Sequence, residues 1–140
     1  MTACPTPLPG TIHRAAVAPS SRAVRLSGLA RIVLRVHDLR VSLRFFGGTL
    51  GLPVAVSGRR TFVRAGGSEL ELREDPGMAL CGAASTDVFT LGCGNLAELG
   101  RAAGLLAAAR VPNTGVMQNA AGTHFVRFTD PDGRVFELVV

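Results

Sequence analysis

Two glutamates and a scatter of arginines are the residues of this chain whose types and spacing could do chemistry. Glu71 sits in the run Glu69-Leu70-Glu71-Leu72-Arg73, and Glu137 in Val135-Phe136-Glu137-Leu138-Val139. Side chains alternate across a strand, so Glu69, Glu71 and Arg73 take one face while Leu70 and Leu72 take the other. In the same way Val135, Glu137 and Val139 oppose Phe136, Leu138 and Val140, and Phe125 and Arg127 share the face of Glu137. An earlier run sets Arg31, Val33 and Arg35 against Ile32, Leu34 and Val36. If helices cover the apolar faces, the opposite faces form a partly charged surface lined by Arg31, Arg35, Glu71, Arg127 and Glu137. Curling of the sheet turns that surface into a cleft offering charge-assisted hydrogen bonds.

The other reactive side chains are less promising. His37 falls at a strand–helix turn, and His124 on the helix-covered face, where a structural role is expected. Cys4, Cys81 and Cys93 make an odd set without CxxC spacing and with no base beside them, which excludes a disulfide framework. Gly92-Cys93-Gly94-Asn95-Leu96-Ala97 matches a loose dinucleotide fingerprint. No acidic residue follows at the required distance and no βαβ unit precedes it, so the glycines are read as a turn into a helix.

The elements that position these residues follow from the hydrophobic pattern. Residues 30–36 read as a strand, Asp38 as an N-cap, and Leu39, Ser42/Leu43, Phe46 and Leu50 as one helical face closed by Gly51 and Pro53. Strands follow at 54–57, 61–65 and 69–73, with Gly58 and Gly66-Gly67 at the turns. Residues 75–86 have linker composition. The order then repeats: a strand at 87–91, and a helix capped by Asn95 with the stripe Leu96, Leu99, Ala103 and Leu106. Strands at 113–118, 123–129 and 134–140 complete it. Two successive β-α-β-β-β units of about 50 residues each form an internal repeat. The fold class is therefore α+β, two βαβββ modules making a curved mixed sheet around a central cleft, with the helices outside.

Composition bounds the alternatives. The chain has 140 residues, 47% hydrophobic, with seven Phe and no Trp or Tyr. No apolar run nears the ~18 residues of a membrane span, and stacking platforms for single-stranded nucleic acid are few. The net charge of +5 comes from 15 arginines and no lysine. Arg14, Arg22 and Arg25 supply +3 of it from residues 1–27, which contain no acid. The other 113 residues carry 12 Arg against 10 acids, scattered rather than clustered, so neither nucleic acid nor membrane is an expected partner. Residues 1–27 are read as a disordered N-terminal extension or an organelle transit peptide. The second reading implies a plastid or mitochondrial location, and otherwise the location is cytoplasmic. The folded domain is placed at 29–140.

The run from Arg31 through His37-Asp38-Leu39, then Ser42-Leu43-Arg44-Phe45-Phe46 and Leu50-Gly51-Leu52, resembles the opening of a vicinal oxygen chelate module. Phe128-Thr129-Asp130-Pro131-Asp132-Gly133-Arg134-Val135-Phe136-Glu137 resembles that module's closing hairpin. The family is that of glyoxalases, bleomycin-resistance proteins and ring-cleaving dioxygenases. The resemblance implies a cleft for a small oxygen-rich or anionic molecule, with Arg31, Arg35, Phe125 and Arg127 lining it, and a homodimer. It implies a divalent metal held by Glu71 and Glu137, with Glu137 as the catalytic candidate, together with a His or Gln from the first strand of each module. Those partners are missing. Arg31 stands at the first position, and Val88 at the second unless a bulge brings in Asp87. Arginine has no lone pair to donate. Arg31 is expected instead to neutralise Glu71 and Glu137, leaving the metal absent or weakly bound. Three functions follow: a metal-free small-molecule binder, a metal-dependent lyase, isomerase or dioxygenase, and a non-catalytic scaffold.

Overall fold

The computed structural model describes residues 24, 26–79 and 87–140. The expectations for residues 1–23, including the transit peptide and Cys4, and for Cys81 in the linker lie outside the described residues. The first module contains β1 (Arg31–Val36), α1 (Leu39–Leu43), β2 (Val54–Ser57), β3 (Arg60–Ala65) and β4 (Ser68–Glu74). The second contains β5 (Val88–Gly92), α2 (Leu96–Ala108), β6 (Met117–Gln118), β7 (His124–Thr129) and β8 (Val135–Val139). This is the expected α+β fold of two βαβββ modules, each forming its own four-stranded mixed sheet. The strand orders are β1-β4-β3-β2 and β5-β8-β7-β6, so the two halves share one topology. In each, the first strand runs parallel to the last and the remaining pairs are antiparallel.

Local chemistry sets the helix starts. Asp38 accepts hydrogen bonds from the Arg40 and Val41 amides, and Asn95 accepts one from Glu98, so both capped helices begin where the sequence places them. The first helix then departs from expectation. After Leu43 it widens into a π-helical segment, Arg44–Thr49, with Leu50 N–H bonded back to Phe45 O at 3.1 Å. This turn buries Phe45 and Phe46 side by side. A Cβ on Gly47 would lie 2.9 Å from Val54 Cγ2, so glycine allows the strand to pass this close.

The helix-covered faces of both sheets contribute to one core. Leu34, Val36, Leu70 and Leu72 come from the first module, Leu99, Leu106, Val126, Phe128 and Phe136 from the second. Phe46 meets Phe136 edge-on at 5.6 Å and Phe45 lies 6.0 Å from Phe128, which joins the modules. A polar clasp supports this joint at the Asp-Pro-Asp-Gly turn. Asp130 accepts from the Asp132 and Arg134 amides and pairs with the Arg134 guanidinium at 2.8 Å. Asp132 then accepts from the His37 amide of the first module at 3.2 Å. Burial pushes the Asp130 carboxyl above its ordinary value. Among the described residues no helix is long and apolar enough to cross a membrane.

Candidate functional site

Register decides which side chains share the open faces. Across β1, β4 and β3 the pairs Val33↔Glu71 and Phe62↔Glu71 place apolar residues directly beside the carboxylate. Its counterions therefore arrive from diagonal positions and from its own strand. Arg60 at the start of β3 is bidentate, donating from Nε to Oε1 at 3.0 Å and from Nη2 to Oε2. Arg73, two residues along β4, donates from Nε to Oε1 at 2.9 Å. Arg31 donates from Nη1 to Oε2 and from Nη2 to Glu69, both at 3.4 Å. The guanidinium groups of Arg31 and Arg60 also lie over the Phe62 ring, 4.9 and 5.1 Å from its centroid.

Under this cover Glu71 is only 1% exposed, although it sits on the face opposite the apolar core residues Leu70 and Leu72. Arg60, then Arg73, hold its carboxyl well down, at about 2 rather than the ordinary 4.5. Hydrogen bonding to Glu71 in turn raises Arg60. Glu71 is an ionised anchor with both oxygens occupied.

The second module arranges the same position differently. Glu137 stands between Thr90 and Arg127 in the ladder, and Arg127 donates to Oε2 from Nε at 3.2 Å and from Nη2 at 2.7 Å. The Arg127 guanidinium lies 5.8 Å from the centroid of Phe125. So Phe125, Arg127 and Glu137 do come together, as do Arg31 and Glu71. Arg35 turns away to Asp75 at 3.7 Å.

Two expectations need correction. Arg31 does not bridge Glu71 and Glu137. Its second carboxylate is Glu69, and Glu137, on the other sheet, is paired with Arg127. The alternative that brings Asp87 to the second ligand position also fails. β5 pairs with β8 in unbroken register from Val88 to Gly92, and Asp87 precedes the strand.

Sequence reasoning misses Arg60, the closest partner of Glu71, because the hydrophobic pattern starts the third strand one residue late, at 61. Extending the alternation back by one puts Arg60, Phe62 and Arg64 on the face of Glu71. His124 is half-buried at the start of β7, while His37 joins the clasp through its backbone amide alone and its side chain is exposed. Gly92 closes β5 and Asn95 caps α2, so that glycine pair turns the chain into the helix as expected.

The residues present do not fit the divalent ion implied for such a cleft. Both Glu71 oxygens accept from guanidinium groups, and the neighbours of Glu137 in the ladder are a threonine and an arginine. Among the described residues no group of three or more His, Cys, Asp or Glu side chains stands together. Three protein ligands are the usual minimum for a catalytic zinc site, and oxygen-preferring ions also need several free oxygens.

A cavity of about 580 Å³ does exist, on the opposite side of the sheets. It lies between the modules and is lined mainly by apolar residues, among them Ile32, Phe46, Leu70, Phe89 and Leu138. None of Arg31, Arg35, Glu71, Phe125, Arg127 or Glu137 borders it. Burial there, with Glu98 nearby, raises the Cys93 thiol above its ordinary value. Arg101, the one arginine among the described residues bordering the cavity, is paired with Glu98 at 2.9 Å, whereas several guanidinium groups cluster on the open face of the first sheet, so the candidate site is placed there.

Comparison with known proteins agrees with this architecture. The model of the Glyoxalase/Bleomycin resistance protein/Dioxygenase superfamily matches residues 28–138. A lactoylglutathione lyase from Agrobacterium tumefaciens superposes with a TM-score of 0.65 at 21% identity, over 82% of this chain and 94% of that one. The fosfomycin resistance protein FosX from Mesorhizobium loti gives 0.67 at 17% identity, over 83% and 93%. An integron cassette protein from Vibrio cholerae gives 0.65 at 20% identity, over 84% and 97%. At these identities the likeness establishes the fold alone. Among curated protein sequences none matches the chain.

Proposed function

The chain belongs to the glyoxalase/bleomycin resistance protein/dioxygenase superfamily, and from that premise we propose that it binds a small oxygen-rich or anionic molecule on the open faces of its sheets, at a degenerate metal site. The observation that carries this reading is the state of Glu71. A carboxylate at a family-equivalent ligand position has been turned into the anchor of an arginine cluster, with neither oxygen left for an ion. The surface so formed presents fixed guanidinium donors, which suit carboxylate, phosphate and other oxygen-rich groups. Metal-dependent lyase, isomerase or dioxygenase chemistry needs ligands this face does not offer.

We also propose that the working form is a homodimer. Members of this superfamily are often dimeric and commonly bind small molecules. Here both open faces carry exposed apolar residues beside their charges, Val33 on the first and Val88 and Met117 on the second. A second copy laid over them would bury these groups and convert an open face into a cleft.

Elemental analysis tests the binding reading first. Protein expressed in medium supplemented with Mn, Ni and Zn should purify without stoichiometric metal, and small oxygen-rich compounds should raise its unfolding midpoint. About one tightly held metal per chain would overturn the assignment and restore the metal-enzyme reading. Light scattering tests assembly, and a monomer at tens of micromolar would reject the dimer.

A further inference from the structure

We propose that Arg31, Arg60 and Arg73 form a receptor for a compact, doubly charged oxyanion, a phosphate monoester or a dicarboxylate, with Glu71 as its buried template. This rests on the binding reading above and narrows its ligand class.

The first ground is the hydrogen-bond inventory. Each guanidinium carries five N–H donors. Arg73 gives Glu71 only its Nε–H, and Arg60 gives its Nε–H and one from Nη2. Both terminal nitrogens of Arg73 and Nη1 of Arg60 make no hydrogen bond to described residues, and the two side chains are 60% and 48% exposed. Glu71, saturated and buried, has nothing left to accept. The carboxylate therefore fixes where the guanidinium groups stand, while their outer donors face solvent.

Charge gives the second ground. This face carries Arg31, Arg60, Arg64 and Arg73 against Glu69 and Glu71, an excess of two positive charges, while Arg35 is matched by Asp75. A dianion neutralises that excess. The matching face of the second module has no such surplus, because Arg127 directs two donors to Glu137.

Preorganisation is the third. Arg60 is pinned by two hydrogen bonds to Glu71 and by the Phe62 ring, and Arg31 by two carboxylates and the same ring. Little side-chain entropy remains to be lost when a ligand arrives. Two guanidinium groups already lie over the Phe62 ring, at 4.9 and 5.1 Å from its centroid, and their charge favours a compact oxyanion.

The test is calorimetry and thermal unfolding of the full chain with inorganic phosphate, malonate and sodium chloride at matched ionic strength. Phosphate or malonate should bind saturably and raise the midpoint where chloride does not. Preference for one of the two identifies the source as phosphate ester or dicarboxylate. Arg73→Gln, at an exposed side chain, should weaken binding roughly tenfold or more, whereas Arg40→Gln, at an exposed arginine of α1 away from both open faces, should leave it unchanged. Arg60→Gln strips the bidentate partner from Glu71 and endangers the fold, so Arg73→Gln carries the test, with circular dichroism confirming that it folds. Equal responses to phosphate, malonate and chloride, or binding indifferent to Arg73→Gln, would overturn the receptor. A neutral oxygen-rich probe, catechol, separates the two levels. If catechol stabilises the protein and neither oxyanion does, the dianion assignment falls and the binding reading stands. If none of them binds, both fall.

Discussion

The two open faces are built on the same topology and the same register, yet they treat their carboxylates in opposite ways. In the first module the immediate ladder neighbours of Glu71 are Val33 and Phe62. These apolar flanks strip water from the carboxylate, so it needs several counterions; the diagonal positions supply Arg31 and Arg60, and the same strand supplies Arg73. In the second module Glu137 has Thr90 on one side and Arg127 on the other. One arginine directly opposite suffices there, and the Glu137 side chain keeps 17% of its exposure. The fold thus fixes where a carboxylate stands, and the two residues beside it decide what that carboxylate becomes. With apolar neighbours it is the buried hub of a cationic cluster, and with polar neighbours it is half of a neutral surface pair.

The sharpest way to break this comparison is to remove the hub. Glu71→Gln keeps the shape but leaves Arg60 and Arg73 facing one another without their anion. It should give the largest loss of stability in the set, several times that of the same change at Glu137. Acid should do the same reversibly. The Glu71 carboxyl lies at about 2 in the folded protein against an ordinary 4.5. Its contribution is therefore complete above about 4.5 and is lost as pH falls from there through about 2. Stability measured between pH 5 and pH 2 should drop more steeply in wild type than in Glu71→Gln. Parallel curves for the two proteins would show that the arginine cluster does not hold the carboxylate as described.

Much of this contrast is legible in the sequence. Alternation places Glu69, Glu71 and Arg73 on one face and Phe125, Arg127 and Glu137 on another, and the internal repeat implies the βαβββ order. The failures have local causes. Residues 113–118 read as one strand, but only Met117–Gln118 pairs as one, with a single bridge from Asn113 to Phe128. The Asn113 side chain accepts from the Gly115 amide, and Gly115 adopts φ +66°, so a turn interrupts the ladder. The π-helical segment is invisible to the pattern because a 3.6-residue stripe cannot announce a wider turn. The pairing of Arg31 with Glu69 rather than Glu137 depends on how the two sheets sit in space, which strand alternation within each does not encode.

The helices behind the two sheets sharpen the contrast at a smaller scale. Gly47, in the first module, has Val54 where its Cβ would go, 2.9 Å away. Gly104, inside α2, has nothing within 4 Å of that position. Gly47→Ala should cost about 1 kcal/mol, because Val54 must shift. Gly104→Ala should add about 0.5–1 kcal/mol by restoring helix propensity. Urea unfolding of both variants checks the pair. A stabilising Gly47→Ala would show that the first helix has more room against β2 than the geometry gives it.

The smallest effect is expected at Glu137, and its size matters because the comparison stands on it. Its partner Arg127 is half exposed, so solvent screens the pair, and both groups can be rehydrated when it is broken. Glu137→Gln keeps a carbonyl oxygen that can still accept from Arg127, while the Phe125 ring under that guanidinium is untouched. The loss should stay below about 1 kcal/mol, shrink further in high salt, and leave oxyanion binding unchanged. Urea unfolding at several protein concentrations reads this directly. A small loss that does not grow with protein concentration confirms Glu137 as a surface pair of the single chain. A loss that grows with concentration would mean that Glu137 gains a partner only in the dimer, so that the two modules differ in where their counterions come from rather than in how many they need. A loss equal to that of Glu71→Gln at every concentration would erase the distinction between the faces altogether.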